Sequence, residues 1–265
     1  MKHFAKLLLA AGAVAFSALS HAGPIVTVWN AAVDGSWSAF APNPGVTQTG
    51  DTLHWGTPTT AGGGVQSSLA ITDPAPTNVN TIIGGGMPVP PYIAPSVTLT
   101  HNNRPITGSS LTDATLDVSL VLTPVSPAGS ALPPDVISYQ IRFVETPNSN
   151  PCPVPGSPTP CNDIFVQLSG FLNQSFTYDG NTYFVNAIPT SGGVLSTLPP
   201  SACAAAGLGA GCFGFTTPEN ASTALSFGLT ISTNPLQVPE PGSLALVGLA
   251  LAGLGYVARR RSTKA

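Results

Sequence analysis

An all-β fold, an antiparallel sandwich of jelly-roll-like form, is what most of this 265-residue chain predicts, and three observations point to it. Glycine and proline supply 28 residues each, which breaks up the long uninterrupted runs that a helical bundle requires. Several segments alternate apolar and polar side chains with a period of two, as half-buried strands do. Between them no amphipathic helical period is found. The hydrophobic share of 43% also excludes a wholly disordered chain.

Taken in order, residues 1–22 open with Lys2 and Lys6, continue as an apolar run from Leu7 to Leu19, and end on Ser20-His21-Ala22. This pattern reads as a secretory signal peptide, passed through the general secretory translocon and cut by signal peptidase before Gly23. Its apolar core of about 13 residues is shorter than the roughly 20 needed to span a bilayer. The body follows over residues 23–237. Ile25 to Trp29 and Thr52 to Trp55 are its first candidate strands. Trp29, Trp37 and Trp55 lie in this first third with Phe40. Exposed in a row, the three tryptophans would make a sugar-stacking platform, whereas buried they would be core. Residues 56–96 carry Gly62-Gly63-Gly64, Gly84-Gly85-Gly86 and several prolines, predicting long loops with one or two edge strands around Leu69 and Ile82.

Val97 to His101 is the next strand. In Thr115 to Leu122, the residues Leu116, Val118, Leu120 and Leu122 share one face. In Val136 to Val144, Ile137, Tyr139, Ile141 and Phe143 do the same, and the two segments should pair across Pro124 to Pro134. Ile164 to Leu168 follows. Ser175 to Tyr178 and Thr182 to Ile188 bracket Asp179-Gly180-Asn181, a strong hairpin signal. Leu225 to Ser232 is the last of about nine short strands.

Cys152, Cys161, Cys203 and Cys212 form two Cys-x8-Cys pairs in loop-like stretches. Four cysteines allow three connectivities, and the equal spacing favours Cys152 with Cys161 and Cys203 with Cys212. An exported protein is expected to hold them oxidised. A four-thiolate zinc site would need closer ligand spacing. The body carries ten acids against Arg104 and Arg142, a net charge of −8 that repels nucleic acid.

Signals of catalysis are weak. His54 and His101 are the body's histidines, and either one beside a carboxylate in a cleft would mark a secreted hydrolase. The sequence has no Gly-x-Ser-x-Gly elbow, His-Glu-x-x-His motif or P-loop. Gly209-Ala210-Gly211-Cys212-Phe213-Gly214 matches a dinucleotide fingerprint in letters only, since it follows no strand and opens no helix. The acids are scattered and form no calcium loop, although strands can bring distant carboxylates together. The expectation is therefore a non-enzymatic body without catalytic residue, cofactor or metal.

At the other end, Val238-Pro239-Glu240-Pro241 precedes Gly242 to Ala258, which is 17 residues without a charge, and then Arg259-Arg260-Arg261. At about 1.5 Å per residue this segment reaches the low end of what spans a bilayer, with the arginines on the cytoplasmic side. Proline on both sides holds Glu240 extended, and Pro241 suits the first position of a helix. Together, residues 238–262 resemble the PEP-CTERM sorting signal of Gram-negative bacteria. That resemblance implies export, a transient inner-membrane anchor, and processing near Pro239-Glu240-Pro241 by an exosortase. It further implies final residence at the cell surface or among extracellular polysaccharide. Thr100-His101-Asn102-Asn103, with Leu53-His54-Trp55-Gly56 and Cys161-Asn162-Asp163-Ile164-Phe165, also resembles the THxN subgroup of such proteins, which implies a class but no mechanism. The leading expectation is an exported surface or matrix protein. The alternatives are a carbohydrate-binding module, a secreted hydrolase and, on the sorting axis, a permanently anchored single-pass membrane protein.

Overall fold

A computed structural model describes residues 22–84, 88–168, 172–192 and 195–236. The signal peptide read over 1–22, apart from Ala22, and the sorting signal read over 238–262 lie outside the described residues.

The described chain is all-β. Its first half contains β1 (Val28–Ala41), β2 (Val46–Thr49), β3 (Thr52–Trp55), β4 (Thr57–Pro58), β5 (Ser67–Thr72), β6 (Thr77–Ile82), β7 (Ala94–Asn102), β8 (Ile106–Thr107) and β9 (Asp113–Ser126). There follow β10 (Asp135–Val144), β11 (Asp163–Gln167), β12 (Gln174–Tyr178), β13 (Asn181–Pro189), β14 (Ser196–Thr197), the helix α1 (Pro200–Ala205), β15 (Phe213–Thr217) and β16 (Ser222–Ser232). The main hydrogen-bonded path runs β14-β15-β11-β10-β9-β1-β6-β16-β7-β5-β3-β2, with β13 and then β12 added beside β16. Its two halves fold onto each other: Trp55 of β3 and His101 of β7 both touch Phe143 of β10, at ring separations of 5.2 and 5.0 Å.

Alternation decides which face is buried. Trp29, Ala31, Val33 and Trp37 of β1 point inward, as do Leu116, Val118, Leu120 and Leu122 of β9 and Tyr139, Ile141 and Phe143 of β10. The expected β9–β10 pairing is formed, with Leu116 opposite Tyr139 and Val118 opposite Ile137. The hairpin at Asp179-Gly180 is formed too. Both residues adopt positive φ, 47° and 76°, as a two-residue primed turn requires.

The structure corrects the sequence reading at four places. Among the described residues there are sixteen strands rather than about nine, and some are long: β1 and β9 have 14 residues each. The strands expected at the edge around Leu69 and Ile82 are interior, β5 lying between β3 and β7 and β6 between β1 and β16. Small polar residues can occupy those interior positions because each has a partner: Ser67 Oγ donates to the Arg104 carbonyl (3.1 Å) and Thr81 Oγ1 to the Val26 carbonyl (2.6 Å). One pairing, β6 with β16, is parallel. Finally, Pro200-Ser201-Ala202-Cys203-Ala204-Ala205 forms a short helix, for which proline at the first position and alanines after it are well suited.

That helix covers the outer face of β11. Ile164 and Val166 pack there against Leu198, Ala202, Cys203 and Ala206, so β11 is buried on both sides. Both expected disulfides are present, Cys152–Cys161 and Cys203–Cys212, with Cα separations of 5.3 and 5.7 Å. Replacing Cys203 and Cys212 with serine is expected to lower stability by about 3 kcal/mol, since the bridge closes a loop of about ten residues. Urea denaturation of the oxidised parent and the double variant would check this. A shift within about 0.5 kcal/mol, the size of an ordinary surface change, would mean that the packing around Cys203 holds the loop by itself.

A buried carboxylate cluster and a C-terminal sorting motif

Strands β10, β11 and β15 lie side by side, and their register aligns Phe143 with Phe165 and Phe165 with Phe215 on the core face. One step along the same face, Asp163 stands opposite Thr217. Glu145 follows Phe143 by two residues and so continues its face just past the end of β10. Glu219 lies in the turn after β15, where Asn220 takes a positive φ of 58°. The result is a cluster in which carboxylate oxygens of Glu145, Asp163 and Glu219 all lie within 4.8 Å of one another.

The facing layer closes over it. Trp55 stacks on His101 with ring centroids 5.5 Å apart and planes 13° from parallel. His101 Nδ1 is hydrogen bonded to Thr217 Oγ1 at 2.9 Å, and Asn103 Nδ2 donates to the Thr217 carbonyl at 3.1 Å. The Asn103 backbone N–H donates to the Ala221 carbonyl at 2.9 Å. Thr217 thus binds both inward-facing residues of Thr100-His101-Asn102-Asn103. Thr100 and Asn102 alternate to the other face and are half-buried, and Asn102 Nδ2 donates there to Ser68 Oγ. His54 is on that outer side as well, lining a shallow depression with Arg104 and Asn102.

Burial dominates the electrostatics. Asp163 is fully buried; its Oδ1 accepts the Thr146 N–H at 2.8 Å, while Oδ2 has no partner. Burial first, and the Glu145 charge second, push its carboxyl up to about 9 against the opposing Thr146 N–H. Burial and then the Glu219 charge push Glu145 up to about 8. The Trp55 indole N–H faces Glu145 and favours its charged form, without closing a hydrogen bond of normal geometry. Glu219 is raised by burial, and the Asn220 N–H opposes this, also short of a full hydrogen bond. Burial lowers His101 to about 3, which leaves a neutral imidazole. Among the described residues no arginine offsets the three acids: Arg142 is engaged with Asp113 at 3.0 Å.

The expectation of scattered acids is corrected at this point, because three of them converge. The sugar-stacking row is corrected as well. Trp29 and Trp55 are fully buried and Trp37 is 6% exposed, so these indoles fill the core and offer no stacking face. Sequence reasoning counted Glu145 and Glu219 only as charges. The inward run Ile137, Tyr139, Ile141, Phe143 extends by the same parity to Glu145, and that was the available signal.

Beyond the β body, the chain carries the signal of an exported protein that transits a membrane. Residues 237–261 match the PEP-CTERM protein-sorting motif, which implies an exosortase as processing partner. Among curated proteins, no match to the chain is found. Among the described residues no helix is long and apolar enough to cross a membrane.

Proposed function

We propose that this is a non-enzymatic surface or matrix protein, a disulfide-tied β-sandwich exported by the general secretory pathway through the signal peptide at 1–22. It is held in the inner membrane by residues 242–258 and released by an exosortase acting near Val238-Pro239-Glu240-Pro241. The observation that carries the reading is the sorting-motif match over residues 237–261. A second observation supports the upstream cut. Gly23 N–H donates to the Asp179 carbonyl at 2.7 Å, and a Cβ at position 23 would collide with the Asp179 carboxylate. An α-ammonium freed at Gly23 would therefore meet a carboxylate at the hairpin turn.

We assign the body to the THxN subgroup. Its three segments are far apart in sequence, yet Trp55, His101 with Asn103, and Asp163 surround one cluster, which supports reading them as parts of one constellation.

Intact mass and cell fractionation in a polysaccharide-producing host, with and without its exosortase, test this function. The expected result is a chain beginning at Gly23, ending near Glu240, and found outside the inner membrane only when the enzyme is present. Retention of Arg259-Arg260-Arg261 in the inner membrane of both hosts would instead establish a permanently anchored protein.

A further inference from the structure

We propose that Glu145, Asp163 and Glu219 form a binding site for a hard divalent cation, calcium, at one end of the space between the two layers. The spacing suits a single ion. Calcium takes oxygen ligands at about 2.3–2.6 Å, so two ligands on one ion lie no more than about 5 Å apart. The carboxylate oxygens of these three residues, from three separate chain segments, meet that limit.

The acids do not stand alone. Asn103 is completely buried with its Oδ1 unpartnered, and His101 is 1% exposed with its Nε2 unpartnered. Both side chains project from the facing layer into the same end of the core, and both are fixed to Thr217, the cross-strand neighbour of Asp163. A buried carboxamide oxygen without a donor is costly, and native proteins rarely leave one without purpose. A cation held by the carboxylates would offer this neutral oxygen a partner. Every carboxylate oxygen of Glu145 and Glu219, and Oδ2 of Asp163, likewise lacks a hydrogen bond.

Charge and donor type narrow the ligand. Three carboxylates share one partly dry site, where the Glu219 charge acts on Glu145, and the Glu145 and Glu219 charges act on Asp163, with no arginine among these influences. A divalent ion neutralises most of that charge. Carboxylate and carboxamide oxygens are hard donors, which favour calcium over softer metals. All four cysteines are tied in disulfides, so no thiolate competes. Access comes from the Glu145 side, where this residue lines an open depression with Arg142, Phe143 and Ala206.

The test uses the exported protein purified from its host, stripped with EDTA and titrated calorimetrically with calcium chloride. Magnesium and zinc chlorides are run in parallel. One calcium per chain is expected, with a rise in Tm on saturation. Terbium placed in the same site should emit on tryptophan excitation, because Trp55 faces Glu145. Glu219→Gln, in a half-exposed turn, and Asp163→Asn should each weaken calcium binding at least about tenfold by removing a charged ligand. Asp117→Asn, whose carboxylate only accepts from Ser138 on the outer face, should leave binding unchanged. Absence of heat, Tm shift and terbium emission would overturn the proposal. So would calcium binding that survives Glu219→Gln in a folded protein, or a preference for zinc that His101→Ala abolishes.

Discussion

Replacing Trp29 with alanine is expected to remove about 3–5 kcal/mol of stability, a large part of the roughly 5–15 kcal/mol that holds a typical domain. The indole is completely buried and meets three aromatic rings edge-on: Phe176 at 5.5 Å, Tyr178 at 5.4 Å and Tyr183 at 5.2 Å. Such edge-to-face contacts add to the area buried. Its Nε1–H donates to Thr81 Oγ1 at 3.1 Å, and that hydroxyl donates onward to the Val26 carbonyl. Trp29 therefore stands at the joint where β1 meets β6 and where the hairpin β12–β13 packs against the core. Alanine would leave a cavity bordered by rings that cannot collapse into it and a threonine acceptor without its donor. Trp29→Phe should lose less, since a ring remains and only the indole bond disappears. Urea denaturation should show a lower midpoint with an unchanged slope for Trp29→Ala. A change within about 0.5 kcal/mol, the size expected of a surface residue, would contradict this burial and reopen a stacking role for the indole.

The strands that were legible in the sequence are those with a clean alternation over one polar and one apolar face. β9, β10 and the hairpin at Asp179-Gly180 belong to this class, because parity and turn chemistry are local properties. β5 and β6 were legible as strands around Leu69 and Ile82 but not as interior ones, since Ser67, Ser68 and Thr81 read as edge or loop residues until their hydrogen-bond partners from distant segments are known. The length of β1 was hidden in another way: alanines, serines and Gly35 stand between its bulky inward residues and weaken the alternation. The carboxylate cluster was legible only in part. Trp55, His101, Asn103 and Asp163 stood out through motifs, but their convergence depends on the fold bringing β3, β7 and β11 together, which no local pattern encodes.

Freed of divalent cations with EDTA, the protein is expected to lose stability as pH rises from about 6.5 to about 9. Stability changes with pH according to the difference in bound protons between unfolded and folded states. Glu145 and Asp163, pushed up to about 8 and about 9, keep their protons in the folded protein where the unfolded chain has already released them. Their contribution is therefore complete below the ordinary carboxyl range and disappears as pH climbs through the raised values. His101, lowered to about 3, acts in the opposite direction, because the unfolded imidazole binds a proton that the folded one refuses. That opposing effect ends above about 6.5, the ordinary histidine value, so the window from there to about 9 isolates the carboxyls. The groups facing Asp163 there are Glu145, Glu219, the neutral His101 ring and the Thr146 N–H, with Arg142 turned to Asp113. One carboxyl in this state gives a slope of about −1.4 kcal/mol per pH unit, enough to lower Tm on the order of 5–10 °C across the window. Asp163→Asn should flatten that slope and make the variant the more stable protein at pH 9, because its amide has no proton to lose and the shape is retained. Thermal melts of both proteins in EDTA decide the matter. A parent whose Tm rises over this window, or a variant that keeps the parent's slope, would show that Asp163 is ionised in the folded protein even without a cation.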